Sequence, residues 1–272
     1  MTNSLTVKEF QNILLGMMSE FHDFCEKNGL TYYMVGGTLL GAVREGGFIP
    51  WDDDVDFAMP RADYERFIRI YSGNLDLHCL KNDKKHMFPY VKLFHKETPL
   101  VRIDDETHGF HSDVFTKFDI YPIDGLGKTE AKAHKHLQKV SKKKHLLYIN
   151  LTKGKSPSAI KRCICGVIRL LPSRQILRSI EGSMKKYPLE KSSYITRWRE
   201  GGVTPNVIAK EIFGEPLLLP FEQYHFYAPR DYHAYLTSVY GDYTVRKQGG
   251  ANLRHDAAKN DVAKKLADSL KK

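Results

Sequence analysis

No apolar run in the 272-residue chain reaches the roughly 18 residues that a membrane-spanning helix needs, so the sequence supplies no spanning segment. Its first residues, Met1-Thr2-Asn3-Ser4-Leu5-Thr6, lack the basic-then-apolar pattern of a secretory leader. Cysteine is scarce: Cys25, Cys79, Cys163 and Cys165 are the only four. Their spacing fits neither a zinc frame nor a dense disulfide framework, which favours a reducing, cytoplasmic setting. Cys163-Ile164-Cys165 reads more simply as small apolar packing than as a metal-binding pair. No internal repeat is present. Acid, too, is missing where base is dense. Residues 128–162 contain eleven Lys and Arg but one acid, Glu130, and the rest of the chain is balanced. Charge this local excludes a generally basic protein. It points to a polyanionic partner or surface, with a plain solvated helical face as the alternative.

Hydrophobic content of 42% and charged content of 27% are those of an ordinary globular protein with a sizeable core. Thr6-Val7-Lys8-Glu9 has the form of a capping box, and Phe10, Leu14, Met17, Phe21 and Phe24 follow at helical spacing up to Asn28-Gly29. That predicts a helix over 7–28. A short strand over 31–35 ends at Gly36-Gly37, and Thr38 to Glu45 suits a short helix closed by Gly46-Gly47. Asp54 to Met59 alternates as a strand, and Pro60 opens a helix through Tyr64, Phe67, Ile68 and Tyr71. Further strands are expected at 76–80, 90–94, 100–103 and 115–121, giving one dominant sheet within the first 125 residues. The basic stretch reads as helix with a loop at 153–157, and 164–171 is an apolar run broken by Arg169. Residues 185–220 read as irregular, with short pieces at 195–198, 207–213 and 217–219. A helix is expected over 229–240, stopped by Gly241, and a charged amphipathic one over 256–272.

The chemistry concentrates at Trp51-Asp52-Asp53-Asp54-Val55-Asp56-Phe57. Two carboxylates ~4 Å apart repel by roughly 4 kcal/mol at an effective dielectric of about 20, so crowding of this kind calls for a cation. Alternation puts Asp54 and Asp56 on one side of a strand and Val55 and Phe57 in the core, with Asp53 as the spectator. Such a pair chelates Mg2+ or Mn2+ and leaves coordination sites for phosphate oxygens. A glycine pair between strand and helix, Gly36-Gly37-Thr38, lets a backbone approach a phosphate. Asp119, a lone acid in Phe118-Asp119-Ile120-Tyr121-Pro122, would complete the centre, because an unpartnered buried charge is costly. Asp124, before Gly125, reads as a turn residue. Arg44 and Lys92 are the cations placed to hold a diphosphate, weighed against ordinary salt bridges.

The run GGTLLGAVREGGFIPWDDDVDFAMPRADYERF, with FDIYPID at 118–124, LPFEQYHFYAP at 219–229 and YLTSVYGDY at 235–243, resembles the LicD family of phosphocholine transferases, related to the fukutin and fukutin-related proteins. The resemblance implies an α/β (α+β) nucleotidyltransferase-like mixed sheet flanked by helices. It also implies a single LicD-like domain over 1–272: a core to 125, a basic helical insertion over 126–185 and a C-terminal part over 186–272. By resemblance Gly36, Gly37 and Thr38 face phosphate, Asp54, Asp56 and Asp119 bind magnesium as the catalytic acids, and Asp52 binds the metal or orients its ligands. His255 matches the family's late histidine and is a substrate-binding candidate. The family's proline-rich segment after YGDY is replaced here by Thr244-Val245-Arg246-Lys247.

The implied reaction moves a phospho-alcohol, foremost phosphocholine from CDP-choline, to a sugar hydroxyl with release of CMP. Its acceptor is a cell-surface glycan (lipopolysaccharide, teichoic acid or capsule) or a lipid-linked precursor. Asp119 is also a candidate to take the hydroxyl's proton. The segment 128–162 is expected to dock the acceptor or the anionic inner face of the membrane. The rival enzyme reading uses a nucleoside triphosphate and releases pyrophosphate. The rival outside enzymes is a polyanion-binding protein, for which nucleic acid is a poor ligand because no aromatics are interleaved with the base and no known module is present.

Overall fold

The structure, a computed structural model, describes residues 4–107, 110–151, 159–197 and 207–245. Helix α1, Val7–Asn28, begins and ends where its caps dictate. The Thr6 hydroxyl accepts from the Glu9 N–H, the Thr6 N–H donates to the Glu9 carboxylate at 2.7 Å, and Gly29 closes the helix at φ 56°. Its buried face carries Phe10, Leu14, Met17, Met18, Phe21 and Cys25, while Phe24 is half-buried.

After α1 come strand β1 (Tyr33–Met34), helix α2 (Gly36–Glu45), strand β2 (Asp56–Pro60) and helix α3 (Arg61–Ile70). Two expected starts move by a residue or two. Helix α2 takes in the glycine pair, and Pro60 is the cap of α3 rather than its first residue. Strands β3 (Asp76–His78), β4 (Val91–Phe94), β5 (Leu100–Asp105), β6 (Phe110–Phe115) and β7 (Lys117–Gly127) follow. The main sheet has the order β1-β2-β7-β4-β3, with β2 parallel to β7 and the other pairs antiparallel.

One dominant sheet is present, as expected, but it does not take in every early strand. Strands β5 and β6 form their own two-stranded ladder. The expected strand over 115–121 is also divided. Thr116 turns its backbone away, donating to the Pro99 carbonyl at 3.0 Å and accepting from the His95 N–H at 2.9 Å.

Helices α4 (Glu130–Leu151), α5 (Ala159–Leu170) and α6 (Ser173–Met184) fill the basic stretch and its continuation. The expected loop at 153–157 lies outside the described residues. Helix α6 has no counterpart in the sequence reading, although Ile176, Leu177, Ile180 and Met184 form its buried face at helical spacing. Strand β8 (Tyr194–Arg197) pairs with the second half of β7, and β9 (Ile208–Ala209) pairs with β8, completing seven strands. Strands β10 (Leu217–Phe221) and β11 (Tyr224–Ala228) form a hairpin, and the expected short piece at 217–219 lies in its first strand. Helix α7 (Tyr232–Tyr240) starts later than 229 because Asp231 caps it, accepting from the Ala234 N–H. The expected helix over 256–272 lies outside the described residues.

The core gathers around Phe21 on α1. Its ring stacks on Phe57 at 4.8 Å and meets the edges of Tyr32, Phe67 and Phe118 at 4.9, 5.5 and 5.5 Å. Burial of each such side chain is worth about 1.5–3 kcal/mol. Because Phe57 and Phe118 are neighbours of Asp56 and Asp119, this packing fixes where the acids emerge. No helix among the described residues is long and apolar enough to cross a membrane.

Candidate active site

The site begins with register. In the parallel β2–β7 pair Asp56 stands opposite Asp119, and Lys92 on β4 stands opposite Asp119 from the other side. Three charged side chains therefore share one level of the sheet. Asp54 and Val55 precede the ladder, yet the extended alternation continues through them, since Val55 is buried while Asp54 and Asp56 are half-buried. Asp53 falls on the buried side of the same alternation and is 6% exposed.

The glycine pair packs on these acids. A Cβ on Gly36 would stand 2.7 Å from Asp56 Oδ2, at φ 61°, and one on Gly37 would stand 2.9 Å from Asp52 Oδ2. The missing side chains make room for carboxylates at the start of α2, whose first turn has no side-chain cap and whose dipole favours negative charge. The buried Thr38 hydroxyl accepts from the Asp56 N–H at 2.9 Å, so it positions the start of β2. Gln11 donates to the Ile49 and Asp52 carbonyls, both at 3.0 Å, and pins the loop that delivers the acids. Glu222, at the β10–β11 turn with φ 50°, fills the space beside Gly47 and accepts from the Phe48 N–H. This gives the 219–229 motif a structural role.

Asp56 and Asp119 sit in opposite electrostatic settings. Desolvation, followed by the charge of Asp54, pushes the Asp56 carboxyl up to about 7, against the pull of Arg197. Asp119 is 2% exposed. Burial would raise its carboxyl, but Lys117 and Lys92 outweigh that and hold it below the usual carboxylate range. Lys92 Nζ lies 3.0 and 2.9 Å from the two oxygens, and Lys117 Nζ lies 3.1 Å from Oδ2. Lys92 is itself 4% exposed and rests on the faces of Phe88 and Tyr90. The Tyr121 hydroxyl bridges the two acids, 3.2 Å from Asp56 Oδ1 and 3.4 Å from Asp119 Oδ2.

Three contributors escaped the sequence reading. Lys117 stands at the first position of β7. Arg197 on β8 donates to the Tyr235 hydroxyl at 2.8 Å, and that oxygen also accepts from the Gly36 N–H at 3.3 Å. The only sequence signal for Arg197 was a base inside an apolar strand pattern. Of the expected cations, Lys92 is the partner of Asp119, and Arg44 pairs with Glu45 at 2.9 Å. Asp124 is no turn residue: it is buried in β7, bound by Arg61 through Nε at 2.7 Å and Nη2 at 2.6 Å. His255 lies outside the described residues.

Among the described residues no three His, Cys, Asp or Glu side chains form a ready-made metal cage. Magnesium seldom uses one. It takes one or two carboxylates and completes its shell with water and phosphate. Asp54 and Asp56 fit that pattern, being oxygen donors whose mutual repulsion a divalent cation would relieve. Asp119 fits less well as a ligand, because two ammonium groups already occupy it.

Residues 29–153, from the end of α1 to the end of α4, match the family described as LicD/FKTN/FKRP, nucleotidyltransferase domain. Over 249 residues the chain is 28% identical to "Lipopolysaccharide cholinephosphotransferase LicD" of Haemophilus influenzae, covering 88% of this chain and 91% of that protein. A 34-residue stretch is 53% identical to human "Ribitol 5-phosphate transferase FKRP", 12% of this chain and 7% of that one. A stretch of 70 residues is 31% identical to "Mannosyltransferase regulator 4" of Saccharomyces cerevisiae, 26% of this chain and 6% of that one.

Proposed function

We propose that the chain, whose residues 29–153 match the LicD/FKTN/FKRP nucleotidyltransferase domain, transfers phosphocholine from CDP-choline to a sugar hydroxyl of a cell-surface glycan or its lipid-linked precursor, releasing CMP. The coarse activity is that of a phosphotransferase. A near-full-length relative named as a cholinephosphotransferase and a partial one named as a ribitol 5-phosphate transferase agree on that class. The single observation that carries the reading is the Asp54–Asp56 pair beside the α2 start, where burial and the charge of Asp54 push the Asp56 carboxyl up to about 7 against the pull of Arg197.

In this account Asp54 and Asp56 hold Mg2+ or Mn2+, and Asp52, folded against Gly37, orients the loop that presents them. The cation supplies neutralisation of the donor diphosphate and of the charge that develops on the leaving CMP. The chain does the rest by position. Thr38 fixes the Asp56 backbone, Tyr121 donates to its carboxylate, and the α2 start with Arg197 adds fixed positive potential beside it. Asp119, held by two ammonium groups, stays ionised and is a poor acceptor for the attacking hydroxyl's proton. Its part is to keep Lys92 and Lys117 beside the centre.

The test is to incubate the protein with CDP-choline, Mg2+ and a lipopolysaccharide-type glycan, following CMP and glycan-bound phosphocholine. Release of CMP matched by phosphocholine on the glycan, lost with EDTA, is the expected result. Pyrophosphate release from a nucleoside triphosphate, with every CDP-alcohol left intact, would overturn it in favour of nucleotidyl transfer.

A further inference from the structure

We propose that α5 docks the protein on an anionic phospholipid bilayer, with its outward apolar face entering the interface. Most amphipathic helices of a globular protein turn their apolar stripe inward. Helix α5 leaves apolar residues outside. Cys163 is exposed, Val167 is 65% and Leu170 83% exposed, and Leu171 just beyond the helix is 43% exposed. Cys163, Val167 and Leu170 recur at helical spacing, so they share a face, and Tyr148 on neighbouring α4 is 63% exposed.

This face is built. Asn150 on α4 donates from Nδ2 to the Ile168 carbonyl at 2.7 Å and to the Leu171 carbonyl at 2.9 Å, tying the end of α5 to α4 at the carbonyls the helix leaves over.

Charge names the occupant. Between Glu130 and Glu181 the chain has no Asp or Glu but thirteen Lys and Arg, and the charged residues of α5 itself, Lys161, Arg162 and Arg169, are all basic. Apolar side chains facing outward within a purely cationic stretch match a surface that is apolar below and anionic above. Another protein copy would bring the same positive charge against itself. A nucleic acid would use the base but leave Val167 and Leu170 in water. The proposal needs no assumption about the donor or the reaction.

Sedimentation of the full-length protein with phosphatidylglycerol-containing vesicles and with phosphatidylcholine-only vesicles tests it. Binding to the anionic vesicles is expected, with a partition coefficient that falls by more than ~10-fold in the double variant Val167→Glu/Leu170→Glu, since each buried side chain of this size counts for about that factor. Arg169→Gln is expected to lose about 5-fold. Leu217→Glu/Leu218→Glu alters another exposed apolar pair, 41% and 52% exposed in the β10–β11 hairpin, and is expected to bind as the wild type does. Circular dichroism confirms that each variant is folded. Equal binding by Val167→Glu/Leu170→Glu and wild type would overturn the proposal. So would a wild-type dimer in solution that the same variant dissociates, with no vesicle binding in either form. CMP release from CDP-choline in vesicle-free buffer is read separately, so a failure here leaves the catalytic reading untouched.

Discussion

Asp56 on β2 and Asp119 on β7 occupy facing positions of adjacent parallel strands and share the Tyr121 hydroxyl, yet their proton equilibria move in opposite directions. The strands differ in what stands beyond them. Past β7 lies β4, which sets Lys92 against Asp119, and Lys117 joins from β7 itself. Past Asp56 the chain brings another acid, Asp54, with Arg197 and then Lys117 pulling against it. One carboxylate is therefore neutralised by two ammonium groups, and the other faces a second acid. A sheet can place two like groups at one level and give them separate duties by its neighbours alone.

The largest effect that would break this contrast is on turnover. Asp56→Ala is expected to lower CMP release from CDP-choline by ~1,000-fold or more, because an anchoring ligand of the cation carries several kcal/mol of transition-state stabilisation. The fold should survive, as the substitution removes a poorly solvated charge. Persistent turnover would place the chemistry elsewhere. Asp119→Ala should fail in the other way. It removes the carboxylate that buried Lys92 shares with Lys117, and urea denaturation should show a loss of about 3–5 kcal/mol. A variant as stable as wild type would mean that the ion pair contributes nothing.

A smaller effect, about 1–3 kcal/mol, is expected for Gly36→Ala, whose methyl would meet Asp56 Oδ2 at 2.7 Å in a left-handed backbone position. Calorimetric unfolding would register it, together with weaker Mn2+ binding.

The smallest effect is in pH. Asp56 has its folded value raised from 3.8 to about 7, so in EDTA its contribution to stability is full below pH 3.8 and is lost as pH rises towards 7. Asp119, with its value lowered, contributes above 3.8 and loses that contribution as pH falls. Asp56→Asn should flatten the first limb of the stability–pH curve and leave the second. Saturating Mg2+ should flatten the first limb in the wild type too, since a bound cation keeps Asp56 ionised.

Much of this centre was legible before any coordinates. The α1 capping box, the glycine stops, the burial of Val55 and Phe57 and the oddity of Asp119 among apolar residues are local signals, and each held. The cation partners were harder to read. Lys92 drew notice as a base on a strand, but nothing in its own segment says that it faces Asp119, which depends on β4 pairing with β7. Arg197 reaches the site only because β8 extends the same long strand. Asp124 shows the converse. Asp-Gly is a good turn signal, and it failed because Arg61, on α3, satisfies the carboxylate inside a strand. The missed α6 is of another kind, since its apolar spacing was in plain view. The basic stretch over 128–162 was legible as mainly helix, while the outward turn of the α5 apolar face needed the packing of α4 against it.

The most direct measurement is Mn2+ binding, followed by electron paramagnetic resonance, to wild type, Asp56→Asn and Asp119→Asn. Wild type is expected to bind the ion, Asp56→Asn to lose it and Asp119→Asn to keep it. Loss of the ion from Asp119→Asn with retention by Asp56→Asn would contradict the assignment of the cation to Asp56.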